Sequence, residues 1–193
     1  MLFNVDHQAL EDVELVEEVA VPPEATGRQY GFSGETLDFL THVGLPQAEE
    51  YELGFFLPQD FNSAFIWDAT AKAADGWETP DELKTVVKIG NFPINPIVIA
   101  PDTGTVYQYT EGVNLVIPIH QDISSLIKTA QSWLDFITSF SADDEDPDSA
   151  DARRRQEVEA LMAYIREVDP LPFANQYSEW NELFDNLQGG MYT

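Results

Sequence analysis

Leu83-Lys84-Thr85-Val86-Val87-Lys88-Ile89-Gly90 opens the stretch on which the fold turns, and that stretch runs on to Phe140. Leu83, Thr85, Val87 and Ile89 alternate with Lys84 and Lys88. A period of two is the mark of a half-buried strand. Gly90 is read as its end. Pro96-Ile97-Val98-Ile99-Ala100 is a short apolar run, as in a strand covered on both faces. Pro101-Asp102-Thr103-Gly104 turns the chain, since proline presets φ, aspartate bonds the backbone ahead and glycine accepts positive φ. Thr105-Val106-Tyr107-Gln108-Tyr109 returns as the hairpin partner. Glu111-Gly112 turns again into Val113-Asn114-Leu115-Val116-Ile117. Connections this short allow only an antiparallel meander over residues 83–117.

A helix closes the unit. Asp122 or Ser124 supplies its N-cap. Ile123, Ile127, Ala130, Leu134 and Ile137 fall on one stripe, widened by Leu126 and Trp133. So broad an apolar face must be buried, and the sheet is the nearest surface.

Outward from this unit the signals weaken. Residues 2–24 are acidic and mixed. Val13, Leu15, Val16 and Val19 face inward from an element that settles on neither helix nor strand, and Pro22-Pro23 breaks it. Residues 1–32 are therefore taken as an acidic N-terminal segment of undefined structure, ahead of a domain over residues 33–193. Ser33 caps a helix through Leu37 and Leu40; Gly44 suits its left-handed end, and Pro46 stops it. Tyr51-Glu52-Leu53-Gly54-Phe55-Phe56 reads as a strand. Residues 60–80 are irregular, with Trp67 and Trp77 as packing residues. Residues 141–151, rich in Asp and Glu, read as a solvated, mobile connector that folding does not need. Val158, Leu161, Met162, Ile165 and Val168 form a further amphipathic helix ended by Pro170. Tyr177, Trp180, Leu183, Phe184 and Leu187 form the last, which stops at Gly189-Gly190. Helix, then sheet, then helices makes a single α+β domain, a mainly antiparallel twisted sheet covered by helices.

Composition narrows the function. A chain of 193 residues makes one well-buried domain, removing roughly 70% of its unfolded surface from water. Its 44% hydrophobic and 12% aromatic content rules out an unfolded acidic tail. The absence of cysteine excludes disulfides, thiolate chemistry and cysteine zinc sites. Met1-Leu2-Phe3-Asn4-Val5-Asp6 has neither the basic region nor the apolar run of a signal peptide. No stretch has the length of a membrane span, so a cytoplasmic location is expected. Thirty-five Asp and Glu against 9 Lys and Arg give a formal charge of -26. That field repels nucleic acid and anionic membranes and attracts basic partners. Solubility, or adaptation to salt, is the blander account of the same charge.

Catalytic patterns are absent. There is no phosphate loop and no His-Glu-x-x-His. Gly31-Phe32-Ser33-Gly34-Glu35 nears Gly-x-Ser-x-Gly, but its closing glycine is misplaced and a helix cap explains the serine. His7, His42 and His120 are scattered; Asp38 and His42, four apart, suit a surface ion pair. Asp144, Asp146 and Asp148 start like a calcium loop, but Ser149 replaces the glycine and Arg155 the bidentate glutamate. No cofactor or metal is expected.

Several segments, in order, resemble a known family. Phe39-Leu40-Thr41-His42-Val43-Gly44-Leu45-Pro46 is similar to a helix ending in Val-Gly-Leu-Pro, and Phe55-Phe56 to the strand after it. Val86-Val87-Lys88-Ile89-Gly90 stands where an apolar strand ends in glycine, with a lysine interrupting the run. Pro101-Asp102-Thr103-Gly104-Thr105-Val106-Tyr107 resembles an Asp-x-Gly-x-Val turn. The strand and helix from Asn114 to Phe136 follow, then Asp169-Pro170, Trp180 and Gly190. These resemble the fourth group of the SUKH superfamily, immunity proteins found beside bacterial polymorphic toxins. The likeness runs from residue 33 to the end; the acidic insert at 141–151 and the N-terminus depart from it. It implies a non-catalytic module whose partner is a cognate toxin. The charge adds that the toxin is basic and acts on nucleic acid. Carboxylates would steer such a partner and exposed aromatics would anchor it. The candidate contacts are Trp67, Tyr107, Tyr109 and Glu111, with the connector acids Asp143, Asp144, Glu145, Asp146 and Asp148. Two other functions fit the same composition: an acid-rich hydrolase with a pocket of convergent carboxylates, and a peptide-binding scaffold from a salt-adapted source.

Overall fold

A computed structural model of the protein describes residues 1–48, 51, 53–142 and 146–192. In chain order the elements are α1 (His7–Glu11), β1 (Glu18–Ala20), α2 (Glu24–Gln29), α3 (Gly34–His42), β2 (Leu45–Ala48), β3 (Leu53–Phe55) and β4 (Ile66–Asp68). They continue with α4 (Ala69–Ala74), β5 (Thr85–Asn91), β6 (Pro96–Ile99), β7 (Val106–Thr110), β8 (Leu115–His120), α5 (Ile123–Ser139), α6 (Pro147–Val168) and α7 (Glu179–Gln188). All strand pairs are antiparallel, and β5 to β8 form the expected meander. The sheet does not stop at β5. Its order is β1-β2-β3-β5-β6-β7-β8, and β4 shares the outer edge of β5 with β3.

Gly90 lies inside β5 rather than at its end. A Cβ there would stand 2.5 Å from the Gly54 carbonyl oxygen and 2.8 Å from Phe55 Cδ1. The missing side chain is what lets β3 pair alongside, next to an irregularity between Lys88 and Gly90. Leu45-Pro46 is likewise strand, paired with Ala20 and Val19. Gly44 before it has φ +88, and a Cβ would meet the Ala20 carbonyl at 2.9 Å. Val113 and Asn114, read above as strand, belong to the turn; Asn114 takes φ 53.

The main core lies between the sheet and α5, α6 and α7. Trp133, Leu134 and Ile137 are buried there, as the stripe requires. Asp122 is the α5 cap, its Oδ1 accepting from the Ser125 amide at 3.0 Å. Residues 1–32 are built into this core. Phe3, Val5, Leu10 and Val13 are buried in it, and the Leu2 amide donates to Asp122 Oδ2 at 2.6 Å.

The other face of the sheet carries a second, smaller core of Ala69, Leu83, Val86, Val98, Ala100, Tyr107, Tyr109 and Val116, with Trp67 and Trp77 packed on it. Here the simple alternation of β5 fails. Val86 is buried although it faces away from Val87, and Leu83 joins the second core rather than the first. The cause is that α4 and the side chains of Trp67 and Trp77 cover this face too.

The connector is shorter than its composition suggested. Asp146 caps α6, its Oδ2 accepting from the Ser149 amide at 3.3 Å, and Pro147 opens the helix. Asp-Pro at the cap and first position is a helix start, which overrides the like-charge argument for residues 147–151. Ala150 is buried against the fold.

Candidate functional site

The sequence candidates fall on different elements. Trp67 on β4 and Tyr107 and Tyr109 on β7 meet in the second core. Tyr109 is 1% exposed, roofed by Trp67 at 5.4 Å edge-on and by Trp77 at 5.1 Å. Its hydroxyl has no hydrogen-bond partner among the described residues, and burial pushes its pKa up to about 12. Tyr107 is also buried, with its pKa raised mainly by desolvation. The hairpin tyrosines therefore work as sheet packing, and the half-buried tryptophans are what this face presents. Two cations stand over them: Lys72 Nζ at 5.3 Å from the Trp67 ring and 5.9 Å from Trp77, and Lys88 Nζ at 5.9 Å from Trp67. The ring faces are thus taken by lysines, while Asp68, Glu82 and Asp102 stand close enough to add to the rise of the tyrosine pKa values.

The acidic candidates lie elsewhere. Asp146 is taken up as the α6 cap, and Asp148 is exposed in the first turn beside it. Asp143, Asp144 and Glu145 lie outside the described residues. Glu111 follows β7, and its amide donates to Asn95 Oδ1 at 3.0 Å. His42 Nδ1 lies 2.8 Å from the Asp38 backbone carbonyl, so that histidine closes on its own helix rather than on the Asp38 carboxylate. Among the described residues no three metal-ligating side chains gather.

Asn95 leads to a site that sequence reasoning missed. Between the 94–95 loop, the end of β7 and the start of α7 is a cleft of about 560 Å³. Buried amides fix its floor. Gln108, with no exposed surface, donates through Nε2 to Thr110 Oγ1 at 2.9 Å and to the Tyr177 carbonyl at 2.8 Å. Its Oε1 accepts from the Glu179 amide at 3.0 Å, at the first residue of α7. Asn95 Nδ2 donates to Glu179 Oε2 at 2.6 Å, and the Ile94 amide donates to Oε1 at 3.4 Å. Glu179 is 6% exposed, and desolvation, partly offset by these bonds, raises its pKa.

Glu182 and Asp185 continue the Glu179 stripe at intervals of three, opposite the buried stripe of Trp180, Leu183, Phe184 and Leu187. Among the described residues no lysine or arginine lines the cleft. Its lining also exposes apolar side chains: Ile94 is 68% exposed and Tyr177 43%, while Val113, beside lining Gly112, is 47%. The acidic stripe of α7 is visible in the sequence. What is not visible is that Ile94 and Asn95, some 85 residues earlier, close over it.

The chain matches the model of the SUKH-4 immunity protein family over residues 5–186. It belongs to that family. The match takes in α1, β1 and α2 as well as the segments that carried the resemblance, except Gly190, which lies beyond it. No curated protein and no solved structure matches the chain. Membership gives the protein an immunity role, the neutralisation of a cognate toxin. No helix among the described residues is long and apolar enough to cross a membrane.

Two of the SUKH-4-like segments meet in the core behind the cleft. Trp180 Nε1 donates to His120 Nε2 at 2.7 Å. Indole is a donor only, so Nε2 is the acceptor and Nδ1 carries the proton. That proton faces Ser125 Oγ at 2.9 Å, with Asp169 Oδ2 at 3.8 Å. Burial holds the His120 pKa down to about 3. Asp169 accepts from the Gln121 amide at 2.9 Å and the Leu171 amide at 3.0 Å, tying the end of β8 to the end of α6. The Asp-Pro and tryptophan of the family pattern thus act as structural fasteners that set where α7 begins.

Proposed function

We propose that this protein neutralises its toxin by binding it, without catalysis, and that the toxin is basic and acts on nucleic acid. The observation that carries the reading is the match to the SUKH-4 immunity family over nearly the whole chain. The formal charge of -26 supports a basic partner, because enzymes that grip nucleic acid present cationic clefts. A binding role also suits the acidic cleft. Among the described residues the carboxylates lining it come from α7, and both oxygens of Glu179 are engaged in holding the 94–95 loop. Two-sided acid–base work needs carboxylates facing each other across the substrate. The experiment is to mix the purified protein with the protein encoded by the adjacent gene. The expected result is a stable complex in which the toxin is inactive; no complex refutes the reading. Association should also slow steeply as salt rises toward about 0.5 M, since screening shortens the reach of surface charge. An association rate indifferent to salt would remove charge from the account.

A further inference from the structure

We infer that the toxin docks in the cleft between the 94–95 loop and α7, and that it inserts a lysine or arginine flanked by apolar side chains. The inference rests on the toxin-binding reading above. It starts from a difference in local charge. The net charge of -26 is a property of the whole molecule. Around Trp67 and Trp77, however, Lys72 and Lys88 already occupy the ring faces and stand among Asp68, Glu82 and Asp102, so a cation approaching there finds the ring faces taken. In the cleft Glu182 and Asp185 are exposed beside buried Glu179, and none of the three takes part in an ion pair among the described residues. A cation entering the cleft finds two exposed carboxylates beside the engaged Glu179, and no lysine or arginine among the described residues lining it competes for them.

The second observation is apolar. Ile94, 68% exposed, and Tyr177, 43% exposed, both line the cleft. Exposed large apolar side chains at the edge of a polar concavity mark contact surfaces, with aromatic residues as frequent anchors. Helix electrostatics explains part of the acidity, because carboxylates in a first turn favour the positive end of a helix. It covers Glu179 and Glu182. It covers neither Asp185, in the seventh position of α7, nor the exposed Ile94.

The third observation is rigidity. Gln108, Asn95 and Glu179 hold the floor from three segments through bonds of 2.6 to 3.0 Å. A cleft already shaped in the free protein loses little freedom on binding, which favours slow dissociation.

The test measures dissociation of the complex with the protein encoded by the adjacent gene, in buffer of about 0.15 M salt. Four forms are compared: wild type, the double variant Glu182→Gln/Asp185→Asn, Ile94→Arg, and the control double variant Glu11→Gln/Glu14→Gln. The control removes the same two charges from exposed positions on and after α1. Every substituted position is exposed, so the fold is expected to survive, and unchanged circular dichroism verifies it. Both cleft variants should dissociate at least about tenfold faster than wild type, with the control within about threefold. Equal effects in the cleft and control double variants would mean only long-range charge is at work, and the cleft inference falls. Wild-type-like dissociation in both cleft variants overturns it as well, while the toxin-binding reading stands. A wild type that forms no complex overturns that reading, and this inference with it.

Discussion

The aromatic face and the α7 cleft are built in opposite ways from the same sheet. On the aromatic side, Tyr109 is sealed under two tryptophans with its hydroxyl unpartnered. On the cleft side Gln108, its immediate neighbour on β7, spends its amide on Thr110, Tyr177 and Glu179. Successive residues of one strand point to opposite faces, so the two regions are separated by one position in sequence. The aromatic face is held by shape and dispersion, the cleft by directed bonds. Directed bonds fix geometry, and a fixed, acid-lined cleft is better suited to recognising a cation than a packed aromatic surface already covered by lysines.

The largest effect expected belongs to the core that carries both regions. Leu134→Ala, under the sheet, should cost about 2–5 kcal/mol by chemical denaturation. A change within about 0.5 kcal/mol, typical of surface sites, would mean α5 is not the support it looks to be. Next comes the polar side. Trp180→Phe removes the only donor that the described residues give to His120 Nε2. An acceptor stranded in the core should cost about 1–3 kcal/mol. A neutral result would show that the network behind the cleft is dispensable.

The same histidine gives a pH signature. Its folded pKa, about 3, lies below the ordinary 6.5. Between those values the unfolded chain binds a proton that the folded chain does not. Its contribution is therefore complete above about pH 6.5 and is lost as pH falls, at about 1.4 kcal/mol per unit in the steep range. Wild type compared with His120→Gln at pH 7 and pH 5 isolates this slope from the other acids. Parallel curves would contradict a buried neutral imidazole. The smallest effect sharpens the contrast most. Tyr109→Phe deletes a hydroxyl that bonds none of the described residues, so stability should stay within about 0.5 kcal/mol or rise. A loss like that of Trp180→Phe would show that the hydroxyl has a partner and that the two sides are not so different.

The meander, α5 and the apolar stripes of α6 and α7 were legible because period and turn chemistry are local signals. Strands β1, β2 and β4 were not, since three or four residues are too few to show a period. The burial of Val86 was hidden because nothing in β5 announces that α4, Trp67 and Trp77 cover its second face. The start of α6 was misjudged by weighing charge over the Asp146-Pro147 cap. Trp67 and Tyr109 were named together only as candidate contacts; that they pack on each other, and that lysines cover Trp67, depends on β4 and α4 lying beside β5. The cleft was least legible, as it joins segments 94–95, 110–112 and 176–186, which only the folded sheet brings together.

Amide hydrogen exchange of the protein, alone and with the protein encoded by the adjacent gene, tests most directly which side meets the toxin. The account predicts exchange slowed at least about tenfold over residues 94–95 and 176–186, with residues 67–77 unchanged. Slowing confined to residues 67–77 would place the toxin on the aromatic face and contradict it.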